Sequence, residues 1–439
     1  MITTEQKNIA QWAMNLALQN GCQASRVSII SGVNTSFEYR NTQLDKSYQS
    51  AENKLYIDVF IDGRYSSFSS NRIDKADLER FIKAGIESTK LLAPDPCKQL
   101  PDPSRYYKHD GGDLELYDAS FDSITPEEKL LVTRQAVEEI FGSDERIISI
   151  TSSYSDGAGA EYMITSNGFE AESIDSAFDV TVEVALKTGG DARAESYWFD
   201  SSIFWKDLKK TGIGQVALKR ALQKIGQRKI QSGTYNMLLD NTVSARMVAY
   251  LTNAMFGSAL QQKNSFLLDK LGQRIVSDKL TLTDNPHLPK SFGARWFDGE
   301  GVATKDRTII EDGVLNMYFI DTYNSLKMNM QPTIASPSIV NMKLGNQTFD
   351  EIRQSLNKGI WVTGFNGGNC NATTGDFSFG IEGFLIEHGE ISTPISEMNI
   401  TGNMLTLWNQ LAEIGNDPRL SSSRRIPTLL FEGVNFSGL

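Results

Sequence analysis

The 439-residue chain has few of the side chains that build disulfide frameworks and metal sites, with only three cysteines and three histidines. Cys22, Cys97 and Cys370 are too far apart for a CxxC motif, which excludes a zinc ribbon or a thioredoxin-like redox site. Three cysteines in a chain of this length cannot make a disulfide framework. We therefore expect a reduced, cytoplasmic protein.

Long apolar runs are also missing, since no stretch approaches the roughly 18 residues that span a bilayer. The first segment carries Glu5 and Lys7 and has no uninterrupted apolar core, so we expect no signal peptide and no membrane contact. The net charge of −11 argues against direct binding to DNA, because phosphate neutralisation needs clustered Lys and Arg. The densest basic stretch, 206–229, is typical of a solvated helix face.

Several catalytic motifs are absent. No GxxxxGK[ST], GxGxxG or GxSxG motif supports a phosphate-binding loop or a hydrolase nucleophile. None of His109, His287 and His388 has a histidine partner one helical turn away, as a zincin-type site requires. A site assembled from these three histidines across distant loops stays an alternative.

The sequence does contain clustered strand and helix patterns. Apolar residues with a period of two, and turn dipeptides such as Asp62-Gly63, predict antiparallel hairpins. The segment 125–128, Thr-Pro-Glu-Glu, is typical of a helix N-terminus. Because strands and helices occur without a sustained βαβ alternation, we predict an α+β fold with mainly antiparallel sheet.

The length favours two domains. The segment 231–233, Gln-Ser-Gly, is the best boundary because it follows the basic helix and precedes a strand pattern at 235–239. We predict an N-terminal α+β domain over 1–230 and a C-terminal, β-rich α+β domain over 231–439. In the second domain the spacing of apolar residues predicts a helix over 242–256.

One cysteine lies in an unusual context, because Cys370 belongs to a segment rich in Gly and Asn, 366–371. A thiol on such a loop could act as a nucleophile. It would need a histidine base, and no motif supplies one. An ordinary loop cysteine is the simpler interpretation.

Motifs in the second half resemble the TldD/PmbA family, whose members carry the name of DNA gyrase modulators. The segments that carry the resemblance are SFLLD (265–269), LGQ (271–273), FDGEG (297–301), IIEDGVL (309–315), TGDFSFG (374–380) and IGND (414–417). The N-terminal half is a looser match. The resemblance extends over essentially the whole chain.

The family that this chain resembles has two branches. TldD-like members carry HExxxH on a helix and a later cysteine, and bind zinc as metallopeptidases; PmbA (TldE)-like members lack these ligands and pair with the first branch. When the chain is aligned through Gly257 and Gly272, the motif falls near Val248, Ala249 and Asn253, and no histidine lies within a residue or two of these positions. No cysteine follows Asn416. Because Val and Ala cannot ligate zinc, the resemblance places this chain in the PmbA/TldE-like branch.

The function implied by this resemblance is that of a non-catalytic subunit in a cytoplasmic zinc metallopeptidase complex for regulated proteolysis or peptide processing. The chain itself would hold no catalytic residue, metal or cofactor, and zinc is expected in a TldD-like partner. We expect a heterodimer or homodimer that acts on unfolded peptide, with the 242–256 helix buried near a shared cavity. A free-standing homodimeric peptide-binding protein, or an independent peptidase using Cys370 or the histidines, stays an alternative.

Peptide binding is expected by β-augmentation, in which an extended peptide pairs with an exposed strand edge. The candidate elements are the loop 366–375, whose glycines make its backbone accessible, and the following strand 377–385. The predicted contact residues are Gly367, Gly368, Asn369, Gly375 and Phe377. A plain surface connection is the alternative interpretation of this loop.

Overall fold

The computed structural model describes residues 1–189 and 193–439. Within these residues the helices are α1 (Thr4–Gln19), α2 (Lys75–Thr89), α3 (Pro126–Glu138), α4 (Ile213–Gln223), α5 (Ser244–Ala254), α6 (Gly257–Gln261), α7 (Thr322–Met328), α8 (Phe349–Ser355) and α9 (Met404–Asn409). In this part of the chain, no helix has both the length and the apolar character needed to cross a membrane.

The strands of the first half are β1 (Ala24–Arg40), β2 (Gln43–Ile61), β3 (Arg64–Ser70), β4 (Ile147–Thr165), β5 (Glu170–Lys187) and β6 (Arg193–Ser202). Those of the second half are β7 (Gly233–Leu239), β8 (Leu282–Asp284), β9 (Arg307–Glu311), β10 (Val314–Leu315), β11 (Val340–Met342), β12 (Lys358–Phe365), β13 (Asn369–Cys370), β14 (Asp376–Glu387), β15 (Glu390–Asn403), β16 (Leu411–Ile414), β17 (Arg424–Arg425) and β18 (Leu429–Ser437). Helices and strands occur in clusters, which confirms the predicted α+β class.

The first half is built around a six-stranded antiparallel sheet in the order β3-β2-β1-β4-β5-β6. Two units with the same element order, a helix, three strands and a helix, meet where β1 pairs with β4. Val27 and Ile29 of β1 pack with α1 and α2, whereas Phe37 packs with the core that contains α3 and α4. Since these β1 residues are all odd-numbered, both helix pairs cover the same face of the sheet.

Local signals in the first half are confirmed. The Asp62-Gly63 turn joins β2 to β3, and Ile61 is paired with Arg64. Thr125 caps α3 in a capping box with Glu128. The basic stretch is helical over a shorter span than predicted, because α4 covers only Ile213–Gln223.

The second half contains a closed ring of strands. β7 pairs with β12 and β18, β12 with β14, β14 with β15, and β15 with β18. Where a strand of this ring is paired on both sides, it has no free edge for pairing with another chain. Helix α5 packs its apolar side against residues of this ring, and a smaller five-stranded sheet, β10-β9-β8-β11-β17, lies in the same half.

Polar contacts join the two halves. Lys224 Nζ, just after α4, lies 2.7 Å from Glu382 Oε1 on β14. Asp95, in the connection after α2, accepts a hydrogen bond from the Tyr323 hydroxyl and lies 3.0 Å from Lys327 Nζ. The predicted division at residues 230 and 231 falls between α4 and β7 and stays a prediction.

Candidate functional site

Helix α5 has two sides of different character. Met247, Val248 and Leu251 are fully buried and belong to the main core of the second half. Arg246 and Tyr250 are half-buried, and Tyr250 packs against the edge of the same core. The helix predicted over 242–256 is therefore present, and its apolar side lies in the core as expected.

The structure does not bring together the three positions matched to the lost zinc motif. Val248 is 0% exposed, Ala249 is half-buried and Asn253 is exposed. Residues five positions apart on a regular helix point about 140° away from each other. Val248 and Asn253 therefore cannot present side chains to one ion unless the helix distorts.

The residues present do not fit a zinc ion. Neither Val248 nor Ala249 carries a donor atom, and zinc in proteins prefers Cys, His, Asp and Glu ligands. Within residues 1–189 and 193–439, no group of three or more such side chains is placed to hold a metal. The expectation that zinc belongs to a partner stays a prediction.

The half-buried side of α5 meets an aromatic cluster on β14. The Tyr250 ring stacks on Phe379 with centroids 5.2 Å apart, and Phe379 stacks on Phe377 at 5.1 Å. Phe365, at the end of β12, approaches Phe379 edge-on at 5.7 Å. The guanidinium carbon of Arg246 lies 5.0 Å from the Phe365 centroid and 5.5 Å from that of Phe379. We call these five residues the Phe379 cluster.

The glycine-rich loop lies directly against this cluster. Gly368 has φ +103°, and a Cβ there would lie 2.3 Å from the Ser378 carbonyl oxygen and 2.6 Å from the Phe379 Cα. Asn369 pairs with Ser378, and Cys370 with Phe377, in the short β13–β14 ladder. Two sets of residues predicted separately, the motif helix and the loop with Phe377, therefore meet in one region.

The far end of the loop is held by side-chain hydrogen bonds. Asn403 Nδ2 donates to the Thr374 carbonyl and to Asp376 Oδ1, and the Thr374 hydroxyl donates to Asp376 Oδ2. These bonds, from Asn403 first and then Thr374, hold the pKa of Asp376 below its usual value. Gly375 is buried with φ +81°, close to the ring of Phe266. The loop is thus anchored at 374–376, and its exposed residues are 366–369 and 371–374.

The prediction that the strand 377–385 offers a free edge is wrong. Along β14, Leu385 is paired with Ile360 of β12 on one side, and Phe379 is paired with Ile400 of β15 on the other. Phe377 is only 6% exposed. β12 and the short strand β13 pair with one side of β14 while β15 pairs with the other, and the period of two in the sequence does not reveal these pairings. Contacts of peptide with Gly367, Gly368, Asn369 and Gly375 stay a prediction.

A free strand edge does exist in the first half. β2 pairs with β1 over almost its whole length, but β3 covers only residues 55–61 of β2. In the described part of the chain, residues 43–53 of β2 therefore have one unpaired side, and they include the exposed side chains of Leu44 and Tyr48. Backbone groups there are open to pairing with an extended chain.

Cys370 lacks the features of an activated nucleophile. Its thiol is half-buried, and burial, with a smaller contribution from Asp376, raises its pKa. Nucleophilic cysteines instead have a lowered pKa, because the thiolate is the reactive form. The three histidines lie elsewhere: His109 bonds to the Glu170 carbonyl, His287 to Thr304, and His388 occupies an exposed turn with φ +50°.

Sequence reasoning missed Arg246 and Tyr250. A signal was available, because residues four apart on a helix share one side, so these two flank the same surface. The partner rings are non-local, however, since Phe365 and Phe379 lie more than a hundred residues further along the chain. Only the folded ring brings them together.

Comparison with known proteins agrees with this fold. The profile of the PmbA/TldA metallopeptidase C-terminal domain matches residues 232–438, and that of the PmbA/TldA metallopeptidase central domain matches residues 119–225. Both profiles are of domains from one class of metallopeptidase, and together they match most of this two-half α+β chain. The chain belongs to the PmbA/TldD family.

Individual relatives extend over the whole chain. Metalloprotease PmbA of Escherichia coli O157:H7 is 27% identical, with 99% of this chain and 97% of that protein covered. A crystal structure from Bacteroides thetaiotaomicron, which carries the name of a DNA gyrase modulator, is 54% identical, with a TM-score of 0.98 and all of both chains covered. TldE from Thermococcus kodakarensis, at 18% identity, has a TM-score of 0.86 over 98% of this chain and 100% of that chain, and so shares the fold.

Proposed function

We propose that this chain is the non-catalytic, TldE-like subunit of a cytoplasmic zinc metallopeptidase complex. A TldD-like subunit would contribute the metal and the hydrolytic residues, and the two chains would form a dimer around a shared cavity. The full-length similarity to a protein named as a metalloprotease supports the class of complex. Regulated proteolysis or peptide processing is the activity that such a complex would serve.

The observation that carries this proposal is that helix α5 is present but has no zinc-binding side chains at the positions matched to the motif. The helix is packed into the core, and Val248 and Ala249 are the residues that the sequence comparison matched to the motif's first histidine and its glutamate. Without a carboxylate beside a metal ligand, this chain has no group there to activate a metal-bound water. Its contribution would be to shape the cavity and hold an unfolded peptide.

Peptide would reach this chain at the exposed loop residues 367–369, beside the Phe379 cluster. Their backbone is open to solvent, and Gly367 and Gly368 both have positive φ. Since β14 is already paired on both sides, a strand added by β-augmentation would use another edge, and residues 43–53 of β2 offer one. The independent-peptidase alternative is disfavoured by the raised pKa of Cys370.

The test is reconstitution with the TldD-like chain encoded in the same genome. We expect the two purified chains to elute together in size-exclusion chromatography and to hydrolyse an unfolded labelled peptide only as a complex. Hydrolysis by the isolated chain, lost in Cys370→Ala, would instead support the independent peptidase. Failure of the two chains to associate would favour the homodimeric peptide-binding protein.

A reverse substitution sharpens the test. We expect Val248→His, Ala249→Glu and Asn253→His together to leave the isolated chain inactive, because position 248 points into the core and no cysteine follows Asn416. Full activity of that triple variant would show that the motif alone separates this chain from a catalytic one.

A further inference from the structure

Arg246 is a charged side chain without a charged partner in the described part of the chain. Its guanidinium lies on Phe365 and Phe379, and within residues 1–189 and 193–439 its side chain makes no hydrogen bond or ion pair. The chain contains 54 acidic residues, and other arginines are paired with them, as Arg26 is with Asp58 and Arg146 with Asp144. The Phe379 cluster therefore presents a positive charge that the fold itself does not neutralise.

The chemistry of this position favours a carboxylate. A guanidinium in cation–π contact keeps N–H groups free to donate, and its fork of donors matches a carboxylate in two parallel hydrogen bonds. The apolar rings beside Arg246 lower the local dielectric, which strengthens such a bond relative to water. The half-burial of Arg246 leaves it within reach of a ligand, next to the exposed loop residues 366–369.

We propose that Arg246 binds a carboxylate of an extended peptide lying over the Phe379 cluster. The carboxylate would come from the peptide's C-terminus or from an Asp or Glu side chain, and peptide apolar groups would contact the half-exposed rings of Tyr250 and Phe365. This inference rests on the proposed function, since it assigns a substrate class to the same region. Peptides ending in a free carboxylate, or acidic near the bound segment, are the preferred ligands.

The experiment compares three peptides of one uncharged sequence, each labelled with fluorescein at its N-terminus. The first has a free C-terminal carboxylate, the second a C-terminal amide, and the third an amide together with a Glu in the last position. Fluorescence anisotropy measures binding of each peptide to the purified chain, alone and with its TldD-like partner, at low ionic strength. The label is common to all three and cancels in the comparison.

For the wild-type chain we expect the free acid to bind about tenfold more tightly than the amide, as for other hydrogen bonds to charged groups. Arg246→Gln should remove this difference while the affinity for the amide stays the same. Arg246→Lys should retain part of it, because a point charge replaces the fork. The matched control is Arg134→Gln, at an exposed position on α3, which should behave as wild type.

The third peptide identifies the source of the carboxylate. Binding equal to the free acid means that any carboxylate at this place is recognised, and binding equal to the amide restricts recognition to the C-terminus. Either result supports the proposal if the preference for a carboxylate over the amide is lost in Arg246→Gln. Thermal unfolding of each variant confirms that it is folded, and the comparison of acid with amide on the wild-type chain needs no variant.

The proposal is overturned if acid and amide bind equally to wild type, if the preference survives Arg246→Gln, or if none of the peptides binds. It is also overturned if Arg246→Gln weakens assembly with the partner without changing the preference, because Arg246 would then pair with a carboxylate of that subunit. Assembly and zinc content are measured separately. A failure of the carboxylate site is therefore distinguishable from a failure of the proposed function.

Discussion

The two sides of helix α5 differ in burial, and so in which substitutions they can tolerate. On the inner side Val248 has no exposed surface and packs into the core of the second half. On the outer side Arg246 and Tyr250 cover Phe379 and stay half-open to solvent. Packing of the inner side into the core accounts for the presence of the helix. A binding function of this helix would use the outer side, whose side chains reach solvent.

The largest expected effect compares histidine on the two sides. Val248→His places a polar ring in the core without a partner, so we expect a loss of about 3 kcal/mol in the free energy of unfolding. Asn253→His, on the exposed side, should change it by less than about 0.5 kcal/mol. Denaturant unfolding measures both variants. Equal costs for the two would remove the distinction between the sides.

The next effect tests how closely the loop approaches the Phe379 cluster. Gly367→Ala meets no atom within 4 Å but keeps an unfavourable positive φ, so we expect a cost of about 1 kcal/mol. Gly368→Ala also keeps an unfavourable positive φ, and in addition it forces a Cβ against the Ser378 carbonyl oxygen. Its cost in the free energy of unfolding should therefore be about 3 kcal/mol. Urea denaturation of the pair is the measurement. If Gly368→Ala is no worse than Gly367→Ala, the loop does not rest on β14.

A smaller effect concerns the stacking on the outer side. Tyr250→Leu and Phe379→Leu, alone and combined, form a double-mutant cycle. We expect a coupling energy of about 1 kcal/mol, which is usual for an aromatic pair in contact. Asn253→Ala combined with Phe379→Leu is the control and should show no coupling. A Tyr250–Phe379 coupling near zero would mean that the rings do not stack in solution.

The smallest expected effect is the pH dependence of alkylation at Cys370, which pairs with Phe377 of the Phe379 cluster. Burial raises the pKa of the Cys370 thiol, so its thiolate becomes abundant only at higher pH than for an exposed cysteine. Burial also raises the pKa of Cys22, to about 11. Alkylation by iodoacetamide, followed by peptide mapping, should be slow at neutral pH for both and should rise with pH, first at Cys370. Rapid labelling of Cys370 at neutral pH would restore it as a nucleophile candidate.

The sequence predicted those features that depend on neighbouring residues. The Thr125 cap, the Asp62-Gly63 turn and the span of α5 follow from residues a few positions apart, and the structure contains all three. The free edge predicted for β14 failed because its pairing with β12 and β15 belongs to a closed ring. That ring includes the parallel β7–β12 pair, whose strands are separated by more than a hundred residues.

The site was predictable to a similar degree. A motif is a local pattern, so its absence can be looked for in the sequence, and the match of its positions to Val248 and Ala249 stays a prediction. The positions of Arg246 and Tyr250 on a surface of rings could not be predicted, because Phe365 and Phe379 reach them only through the fold. Burial of Val248 likewise depends on residues from many strands.

The central claim is that this chain belongs to a zinc peptidase complex without holding the metal itself. The most direct measurement is the zinc content, by elemental analysis after dialysis, of the isolated chain and of its complex with the TldD-like partner. We predict no retained zinc in the isolated chain and stoichiometric zinc in the complex, accompanied by peptide hydrolysis. Stoichiometric zinc that survives dialysis in the isolated chain would contradict this account.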